Sequence, residues 1–214
     1  MTATVTCTVV AIVAAYLGWW WLVVLSALVW FVVACFFRDP LGRKPASQDE
    51  ADLVSPADGC ISAIEQVDYH EAIEGPAVVI RIFLSVLNVH LNRVPCTAKV
   101  KRMKYRMGKF LDARTEESAR VNESNLITLE LPDGTPLGVR QVSGAIARRI
   151  VCPIQEGQEL QRAETFGMIK FGSTTELIVP AGDSAEESPT IHVTTGDKVQ
   201  AGVTILATLN ARHH

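Results

Sequence analysis

The sequence predicts a mostly β fold, a sandwich or barrel, preceded by an N-terminal hydrophobic membrane-anchoring helix or helical hairpin. Three observations lead to this prediction. Short runs rich in Val, Ile and Leu, bounded by Pro, Gly and Asp, recur between residues 52 and 210. Residues 131–135, Leu-Pro-Asp-Gly-Thr, are typical of a tight hairpin, because Asp-Gly tolerates positive φ. No charged residue occurs in the first 37 positions.

Residues 1–40 are predicted to be the membrane anchor. The uncharged run is longer than the ~20 apolar residues that cross a hydrocarbon core, and it lacks the basic start of a cleaved signal peptide. Gly18 and the three tryptophans after it lie midway, where a re-entrant hairpin would turn; the alternative is one tilted helix over residues 20–37. Three cations follow directly, Arg38, Arg43 and Lys44. By the positive-inside rule they place the next domain on the cytoplasmic side of the cell membrane.

Composition limits the function of the predicted catalytic domain, residues 41–214. Its length fits one domain, and the net charge of −3 argues against a general nucleic-acid binder. The five cysteines form no Cys-x-x-Cys pair, as expected of small buried thiols in a reducing compartment. No spacing of His, Cys and Asp is typical of a metal site, so we expect no metal ion.

The domain begins with a polar linker, residues 42–52, and continues as apolar runs that are too short for buried helices. One short helix is predicted at residues 116–121. The predicted strands are residues 60–64, 77–84, 126–131, 138–142, 146–152, 176–179, 190–193 and 205–209. Their regular spacing is what favours a sandwich or barrel.

Two segments form a faint internal repeat, residues 156–166 and 195–205. Each has a Gly-polar turn, an apolar residue three positions later and then a strand. The pattern resembles the hairpin units of lipoyl and biotinyl carrier domains; the alternative is that turns of one type converge on similar residues. If the repeat is real, Gly172-Ser173 lies between two equivalent units.

The most informative stretch is residues 166–175, Phe-Gly-Met-Ile-Lys-Phe-Gly-Ser-Thr-Thr, because its Gly172-Ser173 bond is suited to self-cleavage. Gly172 has no Cβ, so a nucleophile can approach its carbonyl, and it adopts φ/ψ values that other residues avoid. The Ser173 hydroxyl can attack that carbonyl and convert the amide to an ester. Elimination then releases the upstream chain, and loss of ammonia leaves a pyruvoyl group. For Gly-Ser taken alone, a turn serine is the alternative.

Further motifs occur in one order along the chain. They are Phe36-Phe37-Arg38-Asp39-Pro40, Ser55-Pro56-Ala57-Asp58-Gly59, Phe83-Leu84-Ser85, Asn88-Val89-His90-Leu91-Asn92-Arg93-Val94-Pro95, Asn122-Glu123 and Gly144-Ala145-Ile146-Ala147-Arg148-Arg149-Ile150. Together with the 166–173 stretch, they resemble the phosphatidylserine decarboxylase proenzymes, in particular their short, archaeal-type form. The resemblance covers roughly residues 36–210.

This resemblance implies a pyruvoyl-dependent decarboxylase that converts phosphatidylserine to phosphatidylethanolamine. Cleavage would give a β chain, residues 1–172, and an α chain, residues 173–214, with the pyruvoyl group derived from Ser173 as the covalent cofactor. The ketone would form a Schiff base with the substrate amine, and the adjacent carbonyl would accept electrons as CO2 leaves. A homodimer is the assembly that the family favours.

His90 is the predicted proton carrier, because an imidazole with a near-neutral pKa suits both self-cleavage and decarboxylation. A structural histidine is the alternative. Asp58 is predicted to orient and charge-stabilise His90 as a triad carboxylate does, or else to form a turn. The longer bacterial form of the family has a second histidine where this chain has Arg93, so the division of roles among these three residues stays open.

Arginines are the predicted substrate-binding residues, because a guanidinium pairs well with carboxylate and phosphate. The candidates are Arg93, Arg148 and Arg149. Six more cations lie between Lys99 and Lys109, either as a solvated strand face or against anionic lipid, where each contributes about 1 kcal/mol. Two other interpretations stay open: a membrane-tethered, non-catalytic carrier-like adaptor, and an inactive homologue that keeps the fold without processing.

Overall fold

The computed structural model describes residues 2–145, 149–169, 172–182, 184 and 186–210. The chain divides into two compact units, Met1–Pro40 and Leu41–His214.

The first unit consists of two helices, α1 (Thr2–Tyr16) and α2 (Trp20–Phe36), which pack against each other. The chain turns between them at Gly18, whose φ of 73° lies in the left-handed region that glycine adopts without strain. The helices contain 15 and 17 residues. Within the described residues, we find no helix with the length and apolar character needed to cross a membrane.

The second unit is mostly β, which confirms the predicted fold class. One helix, α3 (Glu116–Val121), interrupts strands that run in chain order. The strands are β1 (Asp52–Val54), β2 (Gly59–His70), β3 (Gly75–Leu84), β4 (Leu91–Arg93), β5 (Ala98–Arg106), β6 (Ser124–Glu130), β7 (Pro136–Val142), β8 (Ile150–Val151), β9 (Glu159–Leu160), β10 (Thr165–Ile169), β11 (Ser173–Pro180), β12 (Thr190–Ile191), β13 (Lys198–Val199) and β14 (Ile205–Thr208).

Within the part of the chain that the structure describes, the strands form three antiparallel sheets. The largest has eight strands in the order β13-β2-β3-β11-β7-β6-β5-β9 and curls into a half-barrel. The orders of the two smaller sheets are β4-β10-β8 and β1-β14-β12. Each residue of β11 is buried, and the strand lies between β3 and β7 near the middle of the large sheet. Ser173 is therefore the first residue of a central, fully covered strand.

Most predicted elements are present. The predicted helix has the bounds of α3, and Thr115 caps it by accepting a hydrogen bond from the Ser118 amide at 3.2 Å. The predicted hairpin joins β6 to β7, with Gly134 at a φ of 84°. Seven of the eight predicted strands lie in or overlap β2, β3, β6, β7, β11, β12 and β14. Of the remaining one, residues 146–152, the structure shows only the short strand β8, and residues 146–148 lie outside the described part.

The two repeat segments adopt matching structures, as both a true repeat and convergent turns of one type would. Each contains a two-residue strand, β9 or β13, that pairs with the start of a long strand, β5 or β2. Each also has two left-handed residues whose amides donate to equivalent carbonyls. The matched donor–acceptor pairs are Gly157 with Val100 and Gly196 with Ile61, then Ala163 with Val94 and Gly202 with Ser55. The likeness to carrier domains stays a prediction.

Candidate active site

The Ser173 side chain is completely buried at the start of β11. Its neighbour on β3 is Leu84, which offers no polar group. Among the described residues, Ser173 Oγ has no hydrogen-bond partner. A buried hydroxyl without a partner costs about 1–3 kcal/mol, so a fold keeps one where another requirement outweighs stability. Ser173 is therefore a buried strand residue with an unpaired hydroxyl, and its functional role stays a prediction.

Gly172 precedes it with a φ of 68°, a backbone conformation that strains any residue with a Cβ. Its carbonyl oxygen lies against another glycine: a Cβ placed on Gly144 would be 2.2 Å from Gly172 O. Such a distance is a severe overlap, so only glycine fits at position 144. Because Gly172 and Gly144 both lack a Cβ, the Gly172 carbonyl can lie close to the chain that follows β7. This carbonyl belongs to the predicted scissile peptide bond.

His90 is completely buried and contacts this peptide directly. The Gly172 amide donates to His90 Nε2 at 3.3 Å, and the His90 carbonyl accepts from the Ile169 amide at 3.2 Å. A ring nitrogen that accepts a hydrogen bond is unprotonated, which is the state that a general base requires. The structure therefore brings together three residues that the sequence singled out: His90, Gly172 and Ser173.

A buried chain of polar side chains lies on the same face of β11 as Ser173. Side chains alternate along a strand, so Thr175 shares that face. Asn92 Nδ2 donates to Thr175 Oγ1 at 3.0 Å, and Gln141 Nε2 donates to Asn92 Oδ1 at 2.9 Å. Asn125 Nδ2 extends the chain to Gln141 Oε1 at 3.1 Å. A buried network whose members are paired in this way is rigid, and it fixes β4 and β7 against β11.

The opposite face of β11 carries a buried carboxylate. Glu176 lies between two arginines of the neighbouring strands, with Oε1 at 2.9 Å from Arg81 Nε and Oε2 at 2.7 Å from Arg140 Nε. Thr174 is on this face too, and its hydroxyl donates to the Ala113 carbonyl at 3.0 Å. These contacts hold the strand in place from the side away from His90.

Asp58 is bound by the linker and by the C-terminal part of the chain. Its carboxylate forms an ion pair with Arg43, in which Nη2 donates to Oδ2 at 2.7 Å, and Oδ1 also accepts from the Ala201 amide at 2.8 Å. No hydrogen bond between the described residues joins Asp58 to His90. The role of Asp58 in orienting His90 stays a prediction, and its partner Arg43 was not predicted.

The structure describes two of the three arginines that were predicted to bind the substrate. Arg93 Nη1 donates to the Ala163 carbonyl at 2.8 Å, and Arg149 is exposed. Arg148 lies outside the described residues. Substrate binding by these three side chains stays a prediction.

Four of the six cations between residues 99 and 109 have acceptors within the domain. Lys101 pairs with Glu130 at 2.7 Å and Lys104 pairs with Glu71, while Arg102 and Arg106 donate to backbone carbonyls. They lie on β5, mostly exposed, as expected of a solvated strand face. Contact with anionic lipid remains untested.

The remaining groups to consider are the cysteine thiols and any cluster of side chains that could bind a metal ion. All five cysteines are free thiols. Burial raises the pKa of Cys96 to about 12 and that of Cys152 to about 11, so both are protonated and poor nucleophiles near neutral pH. Within the described residues, no cluster of His, Cys, Asp and Glu has the arrangement to hold a metal ion.

Sequence reasoning gave no individual role to several residues of this site, although Thr175, Asn92 and Gly144 stand within the quoted motifs. Thr175 and Asn92 follow Ser173 and His90 by two positions, so strand alternation could have identified them. Gln141 lies on β7, and Ser143 and Gly144 directly follow that strand. Their proximity depends on the pairing of β7 with β11, which no local spacing reveals.

Comparisons with known proteins agree with these motifs. The family model described as phosphatidylserine decarboxylase matches residues 30–207. A phosphatidylserine decarboxylase proenzyme of Rhodopirellula baltica is 45% identical over 201 residues, covering 93% of this chain and 80% of that protein. Proteins of the same name from a Wolbachia of Brugia malayi and from Magnetococcus marinus are 42% and 38% identical. The alignments cover 82% and 95% of this chain and 74% and 90% of those relatives.

Proposed function

Because the chain belongs to the phosphatidylserine decarboxylase family, we propose that it decarboxylates phosphatidylserine with a pyruvoyl group made by self-cleavage at Gly172-Ser173. One observation carries this proposal: a buried Ser173 hydroxyl without a partner follows a left-handed glycine whose amide donates to His90 Nε2. No comparison favours the non-catalytic adaptor.

The residues at this position fit the proposed cofactor. Ser173 supplies its carbon atoms, and the buried site around it excludes water. When present, a pyruvoyl group supplies a ketone that takes up the substrate amine and an adjacent carbonyl that accepts the electron pair as CO2 leaves.

Self-cleavage begins when the Gly172 amide releases His90 Nε2, whose single lone pair then accepts the proton of Ser173 Oγ. The Oγ then bonds to the Gly172 carbonyl carbon, the C–N bond breaks, and the Ser173 nitrogen takes up a proton, which leaves an ester. Removal of the Ser173 α-proton breaks the Cβ–Oγ bond and releases Gly172 as a carboxylate. Addition of water and loss of ammonia complete the conversion at residue 173.

The same groups serve the decarboxylation. His90 stands beside residue 173 and is placed to hold and return a proton. Arg93, Arg148 and Arg149 are the proposed ligands of the substrate's carboxylate or phosphate, and Asp58 is the proposed partner that sets the charge near His90. The pairing of Asp58 with Arg43 would let it act only through rearrangement or through the field of the ion pair.

Exposed apolar side chains support a lipid substrate and attachment to the cell membrane. On α1 and α2 they include Val9, Ile12, Trp20, Trp21, Val24, Leu28 and Phe31. Near the cleavage site, Val86 and Leu87 are exposed, and a Cβ on Gly172 would be 3.8 Å from Val86 Cγ2. We propose residues 1–40 as the anchor and residues 41–214 as the catalytic domain, on the cytoplasmic side.

Denaturing electrophoresis and intact mass of the purified full chain test the proposal. We expect two polypeptides, residues 1–172 and the 42-residue piece 173–214, the smaller one with a keto group at its N-terminus. Ser173→Ala should remain one chain and should release no CO2 from phosphatidylserine in mixed micelles. Turnover by an intact chain would contradict the mechanism, and two chains without turnover would contradict the substrate.

A further inference from the structure

A second buried serine lies beside the cleavage site. Ser143 directly follows β7 and is completely buried. Its Oγ, like that of Ser173, has no hydrogen-bond partner among the described residues. Two unpaired hydroxyls in one buried region are unusual, because each one costs the fold stability.

Extending the register of β7 and β11 by one residue brings the two serines opposite each other. β11 and β7 pair Thr175 with Gln141 and Thr174 with Val142. Continued by one step beyond the paired residues, this register brings Ser143 opposite Ser173, the first residue of β11. A Cβ on Gly144 would be 2.2 Å from Gly172 O, so the chain after β7 stays beside the residue that precedes Ser173.

Residues directly opposite in an antiparallel pair point to the same face, with Cβ atoms about 4.5–5.5 Å apart. Each serine hydroxyl has three staggered positions about its Cα–Cβ bond. Rotation alone can therefore bring the two Oγ atoms to the ~2.7 Å of an O–H···O hydrogen bond. On the other side of Ser173 lies Leu84, so Ser143 is the cross-strand neighbour that can donate.

Two hydrogen bonds fix the backbone of Ser143 and so restrict the positions that its hydroxyl can reach. Its amide donates to the Glu123 carbonyl at 2.9 Å, and its carbonyl accepts from Asn122 Nδ2 at 2.8 Å. Asn122 is itself completely buried and bridges to both backbone groups of Leu111.

We propose that Ser143 is a catalytic residue of self-cleavage, whose hydroxyl donates a hydrogen bond to Ser173 Oγ. As the Ser173 proton moves to His90 Nε2, the bond from Ser143 stabilises the negative charge that develops on Oγ. It also turns the oxygen lone pair toward the Gly172 carbonyl carbon. Ser143 keeps its own proton, so the balance of ester formation is unchanged. This inference rests on the proposed self-cleavage.

The test follows cleavage of newly synthesised full chain over time, for the unchanged sequence, Ser143→Ala and Ser118→Ala. Ser118 is the matched control, a buried serine whose hydroxyl donates to the Thr115 carbonyl at 2.6 Å. We expect Ser143→Ala to cleave about tenfold more slowly or worse, the effect of losing one hydrogen bond to a developing charge. Ser118→Ala should cleave at the unchanged rate.

Hydroxylamine distinguishes the step, because it cleaves an ester as soon as one forms. Slow cleavage of Ser143→Ala with and without hydroxylamine supports the inference, whereas rescue by hydroxylamine would place Ser143 after ester formation and overturn it. Cleavage of Ser143→Ala at the unchanged rate would also overturn it, while leaving the proposed function intact. If the unchanged chain does not cleave, the proposed function itself fails.

Thermal unfolding separates catalysis from folding. On the uncut Ser173→Ala background, Ser143→Ala should unfold at the same temperature or a higher one, because it removes a buried hydroxyl without a partner. A clearly lower unfolding temperature would assign Ser143 a structural role and contradict the inference.

Discussion

At the scale of single residues, Gly172 combines two properties that a self-cleaving peptide needs. Its φ of 68° would cost a residue with a Cβ about 1–2 kcal/mol. Its amide also donates to His90 Nε2, which fixes the imidazole beside the bond to be broken. One contact therefore positions both the Gly172 backbone and the proposed general base, His90.

Removal of His90 tests that contact. His90→Ala should slow chain cleavage by about 100-fold or more, the usual contribution of a positioned general base. Pulse-chase electrophoresis of the precursor measures the rate. His192→Ala is the control, because His192 is exposed and its ring nitrogen contacts Thr208 Oγ1 at 2.7 Å. Equal cleavage rates in the two variants would remove His90 from the mechanism.

A site residue could be predicted from the sequence where it stands within a continuous local motif. His90 and the Gly172-Ser173 pair could be found because each stands in a recognisable local sequence. The partner of Asp58 could not, since Arg43 comes from the linker and its charge is equally expected beside a membrane anchor. Ser143 could not be found either: it only borders the motif at residues 144–150, and its place near Ser173 depends on the pairing of β7 with β11.

At the scale of elements, β11 serves two purposes through its two faces. One face carries Ser173 and also Thr175, whose hydroxyl accepts a hydrogen bond from Asn92. The other buries Glu176 between Arg81 and Arg140. Breaking a buried ion pair typically costs about 3–5 kcal/mol, so this network keeps β11 from shifting its register. A shift by one residue would exchange the two faces and remove Ser173 from the site.

The contact between Gly144, which follows β7, and Gly172, which precedes β11, can be tested by substitution. Gly144→Ala would place a methyl group 2.2 Å from Gly172 O, so the carbonyl must move. We expect cleavage at least about tenfold slower, because small displacements of reacting groups reduce rates strongly. Gly75→Ala is the matched control, since no atom lies within 4 Å of its Cβ position and its φ is not positive.

Time-resolved electrophoresis of both variants measures the effect. Unimpaired cleavage of Gly144→Ala would show that the close contact with Gly172 O does not matter for the reaction.

Elements were predictable where hydrophobic runs were long. β3, β6, β7 and β11 contain enough Val, Ile and Leu to be identified from composition and flanking turns. The two-residue strands β9 and β13 were not predicted as strands, because at that length only the partner strand defines them. β10 was also missed, since its glycine and methionine lie within the stretch that was assigned to cleavage.

At the scale of the whole molecule, the internal repeat is divided unequally by the proposed cut. One unit pairs residues 94–100 with residues 157–163, all within the 1–172 piece. The equivalent unit pairs residues 55–61 with residues 196–202, so it joins the two pieces. Asp58 strengthens that junction through the Ala201 amide.

We therefore expect the 173–214 piece to stay bound after cleavage. Its strands β11, β13 and β14 pair with β3, β7, β2 and β1 of the larger piece. In gel filtration in mild detergent, both pieces should elute together, at the volume of uncut Ser173→Ala. They should separate only in denaturant. Elution of the small piece alone would contradict this assignment of the interface.

The burial of Ser173 in a central strand has a consequence for the lifetime of the enzyme. A diffusible coenzyme can be exchanged when it is chemically damaged. The proposed pyruvoyl group is part of the polypeptide at position 173, so it cannot be exchanged. Each polypeptide would therefore form its pyruvoyl group only once. Chemical damage to that group would inactivate the molecule, and activity would return only with newly synthesised protein.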